Sequence, residues 1–393
     1  MSLLLLLVIV VLVATGMGIA LLGSIKVTLA RQLQIDEARM GGLVSTFGFT
    51  LIPVILTAGI VSDLVGRQPV IVGGAVLFTA SLLLFAQARA YWMVLAAVLL
   101  LSAGWGTLIN VVNPLSIVAF GGSQAYALNL GCFIFGIGSF VTPLGVAFLV
   151  RRLGLRGSLL LLSLSGVAMA VLACAAEFPA VAPAPTQEAA AAPGLGTLLG
   201  SAIMWLCALA LFFYMPAEST MAAWATTYAA DKGMKESSAS ALLSGFWLAY
   251  TAARLVAALF LPKGHETAVV LVLSLASLAV WVGVVLCRGK GLAAALVISM
   301  AVAFGPIYPT VLAVLLGNFP PALHGRAIGL FFTLGGLGST VLPMLIGAYA
   351  RKTSVQRGFL LAAASAAGLC VVAVLLTMKA GPPPAFDGAG PAW

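Results

Sequence analysis

The chain has 393 residues, of which 62% are hydrophobic and only 7% are charged. A soluble domain carries about 25% charged residues, so this composition excludes an ordinary soluble protein and predicts an integral membrane protein whose exterior faces lipid. The formal net charge of +9 does not indicate nucleic-acid binding, because the Lys and Arg residues stand singly or in pairs between apolar runs rather than in one basic patch.

Long apolar runs follow one another along the chain, and each is long enough to cross a bilayer, which takes about 20 residues. The first run lacks a basic leader and exceeds the length of a signal-peptide core, so we predict a spanning helix there. We predict spans at 3–30, 41–62, 69–88, 91–119, 125–150 and 157–176, and at 197–229, 238–261, 267–287, 291–317, 325–350 and 357–378.

An internal repeat relates the two sets of spans. An offset of 200 places residues 127–152 on residues 327–352 without a gap. The coincident pairs include Gly136 with Gly336, Gly138 with Gly338, Ser139 with Ser339 and Pro143 with Pro343. The repeat predicts an all-α membrane fold of twelve transmembrane helices in two pseudo-symmetric six-helix bundles.

The predicted bundles comprise residues 1–176 and 197–379. Between them lies an Ala- and Pro-rich stretch, 177–196, which has neither the length nor the hydrophobicity to span and is predicted to be a cytoplasmic linker. The tail, 380–393, is rich in Gly and Pro and is predicted to be disordered.

A short motif lies between the second and third predicted spans. Residues 59–68 read GIVSDLVGRQ, which resembles the signature loop of the major facilitator superfamily, Gly-x-x-x-Asp-x-x-Gly-Arg-Arg/Lys. Parallel six-helix repeats are also the organisation of these transporters, with the solute site between the halves. The resemblance implies a cytoplasmic gate in which the loop holds neighbouring helices in the outward-open state. The predicted gating residues are Gly59, Asp63, Gly66 and Arg67; the alternative is a merely solvated turn.

Ionisable residues inside a spanning helix are candidates for function because leaving them in hydrocarbon is costly. Glu218 is the acidic residue that lies well inside a predicted span, and Tyr214 shares its helical face. A buried carboxylate can bind and release a proton near neutral pH, which predicts a proton-coupling role for Glu218. The alternative is a structural hydrogen bond to another helix.

Arg254 completes a stripe with Trp247 and Tyr250 on one face of a predicted span. An arginine beside two aromatic rings can hold an anionic or hydroxyl-rich solute, or it can pair with Glu218. Further polar residues near proline bends are predicted to line a cavity rather than a packing seam. The full set of predicted substrate-binding residues is Lys26, Asn110, Asn113, Asn129, Tyr214, Glu218, Trp247, Tyr250, Arg254 and Tyr308.

The segments around these residues resemble the sugar branch of the superfamily, which includes fucose–proton symporters and sodium–glucose-type relatives. The resemblance is carried by Tyr214-x-x-x-Glu218, Phe246-Trp247, Arg254 and the stretch 305–310, GPIYPT. It implies a monomeric secondary transporter, without cofactor, that moves a sugar-like polar solute by alternating access with a proton or sodium ion. The fucose-type symporters carry an acidic residue in the first helix, whereas this sequence has Lys26 near that place.

Three alternative functions stay open. An organic anion could bind Lys26 and Arg254, and efflux of an amphipathic compound is a second alternative. A receptor or scaffold without transport activity is a third. No metal-ligand spacing, nucleophile elbow or phosphate loop supports an enzyme in the sequence, so we predict a transporter.

The loops give a conflicting indication of orientation. The resemblance implies an inner-membrane protein with both termini in the cytoplasm, so that odd-numbered loops lie outside. Those loops hold thirteen Lys and Arg residues, whereas the cytoplasmic loops and tail hold four, namely Arg67, Lys263, Arg326 and Lys379. This distribution is the reverse of the positive-inside bias. The expectation follows the motif, and an external basic rim would draw anions toward the mouth.

Overall fold

The protein is described by a computed structural model that covers residues 2–34, 37–178, 195–352 and 354–379. Within these ranges the regular structure is α-helical, apart from one 3-10 turn at Pro321–Leu323. Helices satisfy all their backbone hydrogen bonds internally, which is why so apolar a chain can place them in lipid. Most of the predicted linker and the whole predicted tail lie outside the described residues.

The first half contains five helical segments, of which the last is broken. Its helices are α1 (Leu3–Leu33), α2 (Glu37–Val65), α3 (Arg67–Gln87), α4 (Tyr91–Phe120) and α5 (Gln124–Ala175). The backbone of Gly154 has φ of 69° and interrupts α5. Since 52 residues of straight helix would extend about 78 Å, the break divides α5 into two arms that cross the membrane separately.

The second half begins with the short α6 (Leu195–Leu199). The longer helices are α7 (Ala202–Asp231), α8 (Glu236–Phe260), α9 (Glu266–Leu286), α10 (Lys290–Phe304), α11 (Ile307–Gly317), α12 (His324–Lys352) and α13 (Val355–Lys379). The single predicted span 291–317 is therefore interrupted between α10 and α11, at Gly305 and Pro306.

Ten helical stretches in the described ranges are long and apolar enough to cross a membrane, with α10 and α11 counted together. The second arm of α5 adds one crossing. The 29-residue helix α12, which is only partly described, adds another. The sum is twelve crossings, as the sequence predicts, and consecutive crossings run in opposite directions.

The two halves repeat the same close helix contact. Gly138 in α5 packs against the backbone carbonyl of Val13 in α1, and Gly338 in α12 packs against the carbonyl of Phe212 in α7. These pairs correspond under the sequence repeat. A side chain at either glycine would collide with backbone, so the spacing of each helix pair depends on the missing Cβ atom.

The halves meet through α2 with α12 and through α5 with α8 and α11. Because the helices alternate in direction, the α2–α3 turn and the α11–α12 connection lie at the same end of the molecule. We call this the clasp end, and the other the opposite end. The α2–α12 interface contains the clasp end, and the interface of α5 with α8 and α11 borders the interior of the bundles.

Candidate functional site

The hydroxyl of Tyr250 is the centre of a polar cluster between α7 and α8. It donates a hydrogen bond to Glu218 Oε1 at 2.6 Å and lies 2.7 Å from the hydroxyl of Tyr214. It also accepts a hydrogen bond from Arg254 Nη2 at 2.6 Å. Tyr214 precedes Glu218 by four residues and Tyr250 precedes Arg254 by four, so each pair shares one helical face. The cluster brings together four residues that the sequence singles out.

Arg254 is held in place by the break between α10 and α11. Its Nε donates to the carbonyl of Gly305 at 3.0 Å. In an uninterrupted helix that carbonyl would accept the N–H of residue 309, but Pro309 has none, so the carbonyl is free for Arg254. The guanidinium also lies 4.2 Å from the centre of the Tyr250 ring, which is a cation–π distance.

The charge on Arg254 has no direct carboxylate partner in the described part of the chain, where no acidic oxygen lies within 4.0 Å of its guanidinium. The side chain is nevertheless only 7% exposed. Glu218 is half-buried and is joined to Arg254 only through the Tyr250 hydroxyl. Arg254 is therefore a buried guanidinium with N–H donors that have no described partner. The Tyr250 hydroxyl lies between it and the partly exposed carboxylate of Glu218.

Aromatic side chains border the cluster. Trp247 packs edge-on against Tyr250 with ring centres 5.5 Å apart, and it is 39% exposed. Tyr308 in α11 stacks on Phe331 with ring centres 6.2 Å apart, and it lies near Asn113 of α4. Of these three predicted solute contacts, Trp247 and Tyr308 lie beside the polar cluster. Asn113 lies on α4 of the other half and is near the cluster only through Tyr308.

The first half contributes Cys132 of α5, which is not among the predicted site residues. This buried thiol is close enough to Arg254 and Glu218 to feel both charges. One turn further along α5, Gly136 approaches Thr251 so closely that an added Cβ would lie 2.8 Å from the threonine side chain. Cys132 lies three residues after Asn129 and four before Gly136, so the three share one helical face. This spacing is the feature of the sequence that could have identified Cys132 as a site residue.

Two of the predicted substrate-binding asparagines lie nearer the clasp end than the cluster does. Asn129 donates to Thr310 Oγ1 at 3.3 Å, which joins α5 to α11. Asn110 donates to the carbonyls of Ile55 and Gly325, each at 3.1 Å, and so joins the two halves. The side-chain oxygen of each asparagine is buried without a hydrogen-bond partner among the described atoms.

At the clasp end, Asp63 caps a helix of the other half. Its carboxylate accepts the backbone N–H groups of Gly325 at 3.0 Å and Arg326 at 2.9 Å. These groups belong to the first turn of α12, whose N–H groups have no partner within the helix. The positive end of the helix dipole favours a negative charge at this place. Gly325 and Arg326 carry no local signal that would have identified them from the sequence.

The other predicted gating residues support this contact. Gly59 lies directly against the carbonyl of Gly325, where a side chain would not fit. Gly66 has φ of 89°, a conformation that glycine adopts without strain. Arg67 follows and its Nη2 lies 3.4 Å from the carbonyl of Pro321. Gly59, Asp63 and Arg67 therefore lie at the interface with the α11–α12 connection, and Gly66 forms the turn between α2 and α3.

The remaining predicted residue is Lys26, whose backbone belongs to α1 but whose side chain lies outside the described part of the structure. Its role in binding stays a prediction. Among the described residues, no group of three or more His, Cys, Asp or Glu side chains could hold a metal ion.

Comparisons with known proteins agree with this architecture. The family model of the Major Facilitator Superfamily matches residues 7–343 and 220–392. The chain is 26% identical over 181 residues to Bypass of stop codon protein 6 of Saccharomyces cerevisiae. That alignment covers 43% of this chain and spans only 36% of the length of the yeast protein.

Solved structures of similar fold cover almost the whole chain. The E. coli fucose:proton symporter FucP superposes with a TM-score of 0.80 at 17% identity, over 95% of this chain and 98% of that one. The human organic anion transporter TETRAN gives 0.72 at 17% identity, with the same two shares. The proton:xylose symporter XylE gives 0.76 at 12% identity, over 96% and 95%. At these identities the likeness concerns the fold.

Proposed function

The chain belongs to the major facilitator superfamily, and we propose that it is a secondary active transporter that carries a small polar organic solute together with a proton by alternating access. The family and fold are those of multi-pass membrane transporters rather than enzymes. The observation that carries the finer proposal is the Tyr250 cluster, in which one hydroxyl joins a half-buried carboxylate to a buried guanidinium.

In this proposal Glu218 binds and releases the proton. It lies near the middle of α7, about 20 Å along the helix axis from the C-terminal end of that helix. Tyr214, Tyr250, Trp247 and Tyr308 offer hydroxyls and ring faces, which suit a sugar-like solute. Two structural neighbours are a fucose:proton and a proton:xylose symporter, which supports that class as the first choice.

An organic anion is the second candidate, favoured by Arg254. Arginine presents five N–H donors in a fork that matches a carboxylate. Only two of these donors have partners in the described hydrogen bonds of Arg254. One structural neighbour is named an organic anion transporter, which supports this class as well. Lys26, as predicted from the sequence, would add a second positive group.

We further propose that the clasp end faces the cytoplasm, that both termini lie there, and that the membrane is the inner membrane. Asp63, Gly59 and Arg67 would hold this end closed while the opposite end admits the solute. Asn110 and Asn129 would then close the path on the clasp side, since both join the halves there. The motif resemblance supports this orientation.

The test uses the purified full chain in proteoliposomes and a panel of sugars, sugar acids and carboxylates. Counterflow of at least one labelled solute is expected for a transporter. Glu218→Gln should abolish uptake driven by a pH gradient while exchange continues, because exchange requires no net proton movement. Glu266→Gln, which alters a surface acid at the start of α9, is the matched control.

Two outcomes would contradict the proposal. Absence of counterflow for every member of the panel, with the protein folded, argues against a transporter of small polar solutes. Full gradient-driven accumulation by Glu218→Gln would remove Glu218 from the coupling step.

A further inference from the structure

We infer that the transported solute carries one negative charge, so that a hydroxyl-bearing monocarboxylate crosses with one proton and no net charge moves. This inference rests on the proposed proton-coupled transport and names the substrate class of the same site. It starts from the charges of Glu218 and Arg254.

The charge balance of the cluster selects the solute. Away from the helix ends, Glu218 and Arg254 are the charged side chains that the structure describes inside the bundles. Protonation of Glu218 raises the charge of the site by one unit, whatever other charges face the site, Lys26 included. A neutral sugar would leave that added charge uncompensated in a low-dielectric interior. A monocarboxylate would cancel it, so that the loaded and the empty site carry the same charge.

The hydrogen-bond geometry links the two events. The Tyr250 hydroxyl has one proton, which it donates to ionised Glu218, so Tyr214 and Arg254 must both donate to the Tyr250 oxygen. Once Glu218 is protonated it no longer requires that donor, and the Tyr250 proton is free to turn away. The Tyr250 hydroxyl, which is the only described side-chain acceptor of Arg254, then belongs to a network without negative charge. A solute carboxylate becomes the better partner for its unused N–H groups.

Other titratable groups around Glu218 do not disturb this count. In the described part of the chain they are Tyr214 on α7, Tyr250 and Arg254 on α8, Cys132 on α5 and Tyr308 on α11. Phenol, thiol and guanidinium groups ordinarily keep their charge state between pH 5 and 8. Among these groups the carboxylate of Glu218 is therefore the proton carrier of the proposed transport.

The polar partners of the cluster suit hydroxyl groups on the same solute. The Asn113 amide of α4 and the Tyr308 hydroxyl of α11 are neutral and lie near each other, and Tyr308 is also close to Arg254 and Glu218. Carboxylate recognition by Arg254 and hydroxyl recognition by these groups can occur together. Basic loops at the opposite end, including exposed Arg89, Arg152 and Arg156, would raise the local concentration of such anions.

The first experiment measures binding of a sugar acid and its neutral parent sugar to the purified full chain, using the fluorescence of Trp247 and the other tryptophans. Affinity for the acid should rise as the pH falls, by at most about tenfold per pH unit for one linked proton. In Glu218→Gln the affinity should no longer depend on pH and should equal the low-pH value of the unmodified chain. Arg254→Met should weaken acid binding by about 10- to 100-fold, whereas Arg254→Lys should restore part of it.

The second experiment records charge movement in proteoliposomes. Uptake of the acid driven by a pH gradient should give no current and should not respond to a membrane potential. Proton-driven uptake of neutral sugars with a positive current, and no uptake of acids, would overturn this inference while leaving the proposed function intact. Failure of both solute classes in counterflow would instead overturn the proposed function.

Discussion

Asp63 binds Arg326 of the other half twice, through the backbone N–H at 2.9 Å and through the guanidinium Nε at 3.5 Å. The first contact caps α12, and the second places a positive side chain against the same carboxylate. Asp63 is largely shielded, with 4% of its side chain exposed, so solvent weakens these contacts less than it weakens a surface ion pair. Opening of the clasp end must break both contacts at once.

We predict that Asp63→Asn opens the clasp end. The substitution keeps the size and one acceptor but removes the charge, which costs the closed state about 1–2 kcal/mol at a helix N-terminus. The open fraction should rise about 5- to 30-fold. It is measured as the maleimide reactivity of Thr310→Cys, a fully buried position at the interface of the halves, with the five native cysteines replaced.

The control for this prediction is Glu266→Gln, which removes an acidic charge at the same end without touching α12. It should leave the reactivity at Thr310 unchanged. Equal reactivity of Asp63→Asn and the unmodified chain would show that the carboxylate does not hold the gate.

Tyr250→Phe should separate proton movement from solute exchange. The ring remains under Arg254, but Glu218 and Arg254 lose their shared hydroxyl. Loss of charge-assisted hydrogen bonds of this kind should reduce gradient-driven uptake by about tenfold or more. Counterflow is expected to persist. Tyr228→Phe removes a buried hydroxyl that bonds to the Val284 carbonyl outside the cluster, so its ratio of driven uptake to counterflow should stay normal.

Gly138→Ala should destabilise the first half. The added methyl group would press on the Val13 carbonyl and force α1 and α5 apart, at a cost of about 1–3 kcal/mol. Gly145→Ala in the same helix is the control, because no atom lies within 4 Å of the added Cβ. Thermal unfolding in detergent measures both variants. A melting temperature for Gly138→Ala no lower than that of the control would contradict the close contact.

Gln356→Leu should lower the stability of the second half without changing the solute site. Gln356 Nε2 bonds to the carbonyls of Val285 at 2.7 Å and Cys287 at 2.8 Å, and its Oε1 accepts from Lys232 Nζ. The substitution leaves the Val285 carbonyl without its described donor and removes an acceptor of Lys232, whose Nζ keeps only the Cys287 carbonyl among its described acceptors. The loss costs about 1–3 kcal/mol. Unfolding should occur at a lower temperature, while counterflow per folded molecule stays constant. Lys235→Met, at an exposed position nearby, should change neither quantity.

The sequence by itself determined the membrane class, the helical fold and the two repeated halves. These properties depend on the length of apolar runs and on residue spacing, which are local. The motif at Asp63 and the paired residues Tyr214 with Glu218 and Tyr250 with Arg254 were also visible, because residues four apart share a helical face. The Gly305 carbonyl also lacks a helical partner for a local reason, because Pro309 has no N–H group to donate to it.

Only the tertiary structure decided which of these groups meet. Arg254 reaches Gly305 across 51 positions, Tyr250 reaches Glu218 across 32, and Asp63 reaches Arg326 across 263. It also separated Asn110 and Asn129 from the Tyr250 cluster and brought Cys132 near it. In a lipid-facing protein both the core and the exterior are apolar, so hydrophobic periodicity does not fix how each helix is rotated about its axis. That rotation is set by close contacts such as Gly138 on Val13, which become defined only when the helices pack.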